Sequence, residues 1–117
     1  MTPEELKQRT KQFALRCIKV TEALPKSRMA DVLGKQLLRS ATSVAANYRS
    51  ACRGRSKPDF ISKLGIAIEE ADETLYWLEM VVEAGLMSEA KLKDLMHETD
   101  EIIAILTASS RTAKRNL

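Results

Sequence analysis

The side chains able to do chemistry are few and badly matched to one another. His97 is the only histidine of the 117-residue chain, with Asp94 and Asp100 three positions to either side. A di-iron site in a helical bundle needs Glu-x-x-His on two helices and two further carboxylates, and no second set exists. Glu69, Glu70 and Glu73 crowd one stretch without a set of bases to work with. Ser40, Ser43 and Asn47 fall near one helical face, but no His or Lys stands beside them to activate a hydroxyl. Asn47 reads instead as a buried polar residue that fixes helix register. Cys17 and Cys52 have no metal-ligand spacing and sit among apolar helical neighbours, as small core residues do. No phosphate loop, dinucleotide fingerprint or zinc spacing is present. These residues describe a non-enzyme with no cofactor and no metal site.

The one chemistry with enough residues behind it is electrostatic. The formal net charge is only +3, but the charge is sorted. Residues 1–57 hold 13 basic and 4 acidic side chains, residues 58–110 hold 3 and 12, and residues 111–117 add three bases. What this sorting means depends on the elements that carry it.

Alanine and leucine supply 14 residues each, against 4 glycines and 3 prolines. That is a helix-forming composition with too few turn residues for a β fold. The apolar residues recur at 3–4 spacing in four stretches. Thr2-Pro3-Glu4-Glu5 opens the first and Leu24-Pro25 ends it, with Leu6, Phe13, Cys17, Val20 and Leu24 as its stripe. Ser27 caps the second, whose stripe is Leu33, Leu37, Ser40/Ala41, Val44, Tyr48 and Ala51. Gly34 within it suggests a close approach or a fray. Ser56-Lys57-Pro58-Asp59 starts the third, with Phe60, Leu64, Ala67, Ala71, Leu75, Leu78 and Val82 inward. Ser88 starts the fourth, carrying Leu92, Leu95, Thr99, Ile102 and Leu106. Short loops force antiparallel neighbours. The expected fold is an all-α, up-down-up-down antiparallel four-helix bundle over residues 1–110, with helices at about 3–24, 28–53, 57–84 and 88–109. Residues 111–117 are expected to be a basic, frayed tail.

This topology keeps the two cysteines about 25 Å apart at ~1.5 Å per residue, too far for a bridge. With the polar Met1–Gln12 start and no membrane-length apolar run, the expected location is the cytoplasm, away from membranes. The topology also gathers charge at one end. The half made of residues 1–14, 45–68 and 104–117 contains Lys7, Arg9, Lys11, Arg49, Arg53, Arg55, Lys57, Lys63, Arg111, Lys114 and Arg115 against three acids, and the other half is net acidic. A basic pole is the electrostatic footprint of a nucleic-acid binder, and all of these bases except Arg9 are candidate phosphate contacts. Tyr48 and Phe60, the only aromatics nearby, sit on core stripes, so base stacking is not expected. Sorting of charge between helices also predicts ion pairs, with Arg39 opposite Asp72, a turn from Glu69 and near Glu73.

Helices three and four are apolar on more than one face. Tyr76, Trp77, Met80 and Val81, with Ile103 and Ile105, point away from the core stripes and predict a homo-oligomer interface. The competing reading of this surface is a docking site for another protein, with charge sorting serving only to orient subunits.

The run Gln36-Leu37-Leu38-Arg39-Ser40-Ala41-Thr42-Ser43-Val44-Ala45-Ala46-Asn47-Tyr48-Arg49, followed by Asp59-Phe60-Ile61, Glu70-Ala71, Glu73-Thr74 and Tyr76-Trp77-Leu78, resembles the four helix bundle protein family encoded in intervening sequences of large-subunit ribosomal RNA genes. Accessory proteins of diversity-generating retroelements are similar. The resemblance implies an up-down bundle assembled as a homopentamer. By analogy with the retroelement relatives it also implies nucleic acid and a reverse transcriptase as partners. Arg39, Ser43, Asn47, Asp59, Phe60, Glu70 and Glu73 match motif positions and read as defining the fold and the interface. The sequence departs from the family at Ser50, where relatives often carry glutamate, and at Arg53 and Arg55, where they carry glycine or glutamate. Those changes make this pole more basic.

Overall fold

The computed structural model describes all 117 residues and contains four helices: α1 Pro3–Ala23, α2 Arg28–Cys52, α3 Lys57–Glu83 and α4 Glu89–Arg115. Local chemistry sets most of the boundaries. Thr2 accepts a hydrogen bond from the Glu5 amide while the Glu5 carboxylate accepts from the Thr2 amide, a reciprocal cap on the first turn of α1. The Ser27 and Ser56 hydroxyls cap α2 and α3 by accepting from the Ala30 and Asp59 amides. Ser88 also stands at a helix start, but its hydroxyl makes no capping bond. Helix α3 is closed off by Gly85, two residues past its last residue, with φ +76°. The Leu86 amide donates to the Val81 carbonyl and the Gly85 amide to the Val82 carbonyl. A left-handed residue is needed for that pair of bonds, and glycine takes the conformation without a Cβ clash.

Each helix packs against its sequence neighbours, and α1 closes the set against α4. One apolar hollow is lined by the start of α1 (Met1, Thr2, Pro3, Leu6), the end of α2 (Tyr48, Cys52), the start of α3 (Phe60) and the end of α4 (Ile105, Ser109). Starts and ends alternate at this pole, so the bundle runs up-down-up-down, within an envelope of 47 × 22 × 20 Å. The core joins Leu6, Phe13 and Cys17 to Leu37, Ala41 and Val44, then to Leu64, Ala71 and Leu78, and to Leu92, Ile102 and Leu106. Gly34 is not a fray: it is buried within α2. Nor does a close approach require the glycine, since a Cβ there would meet Leu24 Cδ1, at the end of α1, at 3.4 Å, an ordinary van der Waals contact.

Three expectations need correction. First, α4 does not stop near 109, and the tail is not frayed: the helix runs to Arg115. The stripe Thr99, Ile102, Leu106 continues at the same spacing through Ser110 and Ala113, both buried. Small side chains carry that extension, which is why hydrophobicity alone missed it. Second, the inner stripe of α3 passes through Thr74 and Val81 rather than Leu75 and Val82. Val81 is therefore fully buried in the core and cannot be an interface residue. Third, Asn47 is only half-buried and donates to the Ser43 carbonyl and hydroxyl of its own helix. It does not bridge helices. That role falls to Ser40 and Thr74, both fully buried, whose hydroxyls hydrogen-bond across α2 and α3 at 2.9 Å.

Candidate nucleic-acid interface

The pole where the four helix ends meet carries the predicted bases, but they are not equivalent. Lys7 is paired with Glu4 one turn away at 3.2 Å, and Lys63 with Asp59 at 3.5 Å. Lys57 Nζ donates to the Asn116 carbonyl at 3.1 Å, tying the start of α3 to the end of α4. Arg9 is the most committed. Its guanidinium grips Glu98 with two bonds of 2.7 and 2.8 Å and reaches Glu101 at 3.1 Å. Hydrogen bonding to Glu98 raises its pKa further, so it stays charged at any working pH. Arg9 therefore seals the α1–α4 seam and leaves little charge for a ligand. The remaining bases of the pole, Lys11, Arg49, Arg53, Arg55, Arg111, Lys114 and Arg115, are exposed and form no ion pair.

Three of these free cations converge on a groove between α1 and α2. It measures about 420 Å³ and is lined by Glu4, Lys7, Gln8 and Lys11 from α1 and by Ala45, Ala46 and Arg49 from α2, with Arg53 at its C-terminal cap. No aromatic side chain lines it. Tyr48 is buried and Phe60 half-buried beside the apolar hollow at the end of the bundle. Burial pushes the Tyr48 hydroxyl pKa up, so it is a neutral core group. The pole offers positive charge and shape, with no surface for stacking bases.

Away from the pole, Arg39 reaches Glu70 at 2.9 Å and also bonds Glu73. Of the three acids that the sequence places around Arg39, Glu73 is a partner, whereas Glu70 stands where Asp72 and Glu69 are expected. Both carboxylate partners lie at positions that match the family motif. The Trp77 indole also donates to Glu73 at 3.1 Å. Together with Arg39 it holds the Glu73 carboxyl below its ordinary pKa. The motif residues Arg39, Glu70 and Glu73 thus form an ion cluster linking α2 to α3. The Asp59 amide donates to the Ser56 hydroxyl at 3.2 Å, and the Asp59 carboxylate accepts from the Arg55 amide at 3.3 Å, shaping the α2–α3 loop.

The apolar residues expected at an oligomer interface divide. Tyr76 is 51% exposed and meets Trp77 edge-on, with ring centres 5.0 Å apart. Trp77, Met80, Ile103 and Ile105 are half-buried and pack partly against the bundle's own core. Leu15, Val32, Leu38 and Ile66 are exposed as well. The uncovered apolar surface is therefore spread over α1, α2 and α3 as much as over α4. Sequence periodicity did not single out these residues, because each is a lone apolar residue on an outward position.

No helix is long and apolar enough to cross a membrane. No group of three or more His, Cys, Asp or Glu side chains is placed to hold a metal ion.

No curated protein matches the chain. A solved structure from Bacteroides thetaiotaomicron, described as a protein of unknown function from the S23 ribosomal protein family, is similar. It shares 33% identity over 95% of this chain and 99% of its own, with a TM-score of 0.88. Residues 4–108 match the family described as 23S rRNA-intervening sequence protein. The match spans all four helices, and the chain belongs to that family.

Proposed function

We propose that this protein is a non-enzymatic, homo-oligomeric helical adaptor that binds RNA or DNA through phosphates at its basic pole. The observation that carries the reading is the set of cations at one end with no partner in the fold. Arg9, Lys57 and Lys63 have structural duties; Arg49, Arg53, Arg55 and the α4 end, Arg111 to Arg115, do not. Unpaired bases held together on rigid helix ends repel one another, and a polyanion relieves that repulsion. Without aromatic platforms, the contacts are to phosphates and carry little sequence information. The family description refers to a sequence inserted in a ribosomal RNA, which supports an RNA setting. The homopentamer implied by the resemblance would align identical poles on one side of a ring and multiply their charge. Tyr76, with the half-buried Trp77, Met80, Ile103 and Ile105, is the apolar surface available for that contact.

Binding of a mixed RNA and DNA pool is the direct test, followed by gel shift at two salt concentrations. The reading expects affinity to fall steeply with salt and to drop on Arg53→Glu with Arg55→Glu. Affinity indifferent to both changes refutes it.

A further inference from the structure

The pole is not a uniform patch, and its geometry points to one seat for the ligand. We infer that the α1–α2 groove holds a single phosphodiester strand lengthwise, between a rail of Lys7 and Lys11 and a rail of Arg49 and Arg53. This inference rests on the nucleic-acid reading above and locates the strand within it. In each rail the two cations are four residues apart, Lys7 and Lys11 within α1 and Arg49 in α2 with Arg53 as the residue that caps its end, about 6 Å along the axis at ~1.5 Å per residue. That repeat is comparable to the separation of successive phosphates on a strand, so consecutive phosphates meet consecutive cations. Three of the four have no ion-pair partner, and Lys7 has only the exposed Glu4. The floor is Ala45 and Ala46, whose methyl groups leave the space that longer side chains would fill. The walls belong to neighbouring helices, whose axes stand about 8–10 Å apart in packed pairs. A surface groove between helices packed that closely is narrower than a duplex and suits one strand at a time. The lining offers no aromatic ring and no neutral amide except Gln8, so the bases face outward and go unread. The chemistry recognised is the phosphodiester repeat itself, from a free strand or from one strand of a duplex, in RNA or DNA.

The test uses fluorescence anisotropy with labelled oligouridine and oligodeoxythymidine of twelve nucleotides and a twelve-pair duplex, across a salt series. Inorganic polyphosphate serves as competitor. Three variants are compared with the wild type: Lys11→Glu with Arg49→Glu in the groove; Ala46→Met, which fills the floor without changing charge; and Arg111→Glu with Lys114→Glu and Arg115→Glu at the end of α4. Circular dichroism confirms that each folds. The groove pair is expected to lose at least ten-fold in affinity, with the slope of log affinity against log salt shallower by about two. Ala46→Met should lose several-fold with the slope unchanged. The α4 variant should lose less than the groove pair, and polyphosphate should displace both single strands. If the α4 variant loses binding while the groove pair and Ala46→Met do not, the groove assignment is overturned and the basic-pole reading survives. If neither the groove pair nor the α4 variant changes affinity, or the wild type binds none of the probes, the basic-pole reading itself falls.

Discussion

The bond between Ser40 and Thr74 makes a quantitative prediction about what fixes the α2–α3 register. Both side chains are fully buried, their hydroxyls lie 2.9 Å apart, and Thr74 also bonds the Glu70 carbonyl of its own helix at 2.7 Å. Thr74→Val keeps the shape and removes the hydroxyl. Ser40 is then left in a dry interior with only the Leu37 carbonyl, 3.3 Å away. An under-satisfied buried hydroxyl costs about 1–3 kcal/mol, and the long residual bond places this case near ~1.5. Ser40→Ala leaves Thr74 satisfied by Glu70 and gains about 0.5 kcal/mol of helix propensity, so its net cost is close to zero. The double variant replaces both hydroxyls with apolar groups and should be more stable than Thr74→Val alone. The coupling should be about 1 kcal/mol. At ~2.1 cal/mol/K of unfolding entropy per residue, each kcal/mol is worth about 4 °C in this chain. Thr74→Val should therefore melt about 6 °C lower, and Ser40→Ala in that background should recover part of the loss. Urea unfolding of the four proteins gives the cycle. Effects that add within about 0.3 kcal/mol would mean that the two hydroxyls are independent, and the register argument would fail.

Other consequences follow from single contacts. Arg9→Met removes the two-bond grip on Glu98 and the contact to Glu101, and should cost about 1–2 kcal/mol in urea unfolding while leaving nucleic-acid affinity nearly unchanged. Burial pushes the Cys17 thiol up to about 12. The neutral thiol is favoured in the folded state, so its contribution is full below about 9 and is lost as pH rises toward 12. A thiol reagent at pH 8 should modify Cys17 only on unfolding, and the half-buried Cys52 before it. The Glu73 carboxyl is held low by Trp77 and Arg39. Its contribution is present above the ordinary carboxylate range and is lost as pH falls through the lowered value. Glu73→Gln should flatten that acid limb of a stability–pH profile, by a small amount because the group is partly exposed. Truncation after Ser109 removes buried Ser110 and Ala113 and should lower the melting temperature measurably; no change would mean that the last two turns of α4 are idle.

The helices were legible in the sequence because their punctuation is chemical. Thr2-Pro3-Glu4-Glu5, Ser27, Ser56 and Gly85 each serve a specific backbone need, and the structure uses them. Phase was harder where both options were apolar. In α3, Leu75 and Val82 are as hydrophobic as a core stripe requires, yet Thr74 and Val81 take the inner positions. The small Ala67 and Ala71 and the hydroxyl pair at Ser40 and Thr74 let α3 lie close on α2, and that packing rotates the helix. The same small-residue packing carried α4 past its last large apolar residue. At the pole, composition identified the bases but not their availability. Arg9 finds Glu98 some 89 positions away, and no local pattern announces such a pair. The groove needed the pairing of α1 with α2 to exist at all.

Light scattering of the protein alone and with an RNA pool, repeated across a salt series, tests the central claim most directly. A homo-oligomeric mass that rises with RNA at low salt and returns to the protein-only value at high salt is the predicted result. A monomer whose mass ignores RNA at every salt concentration would contradict it.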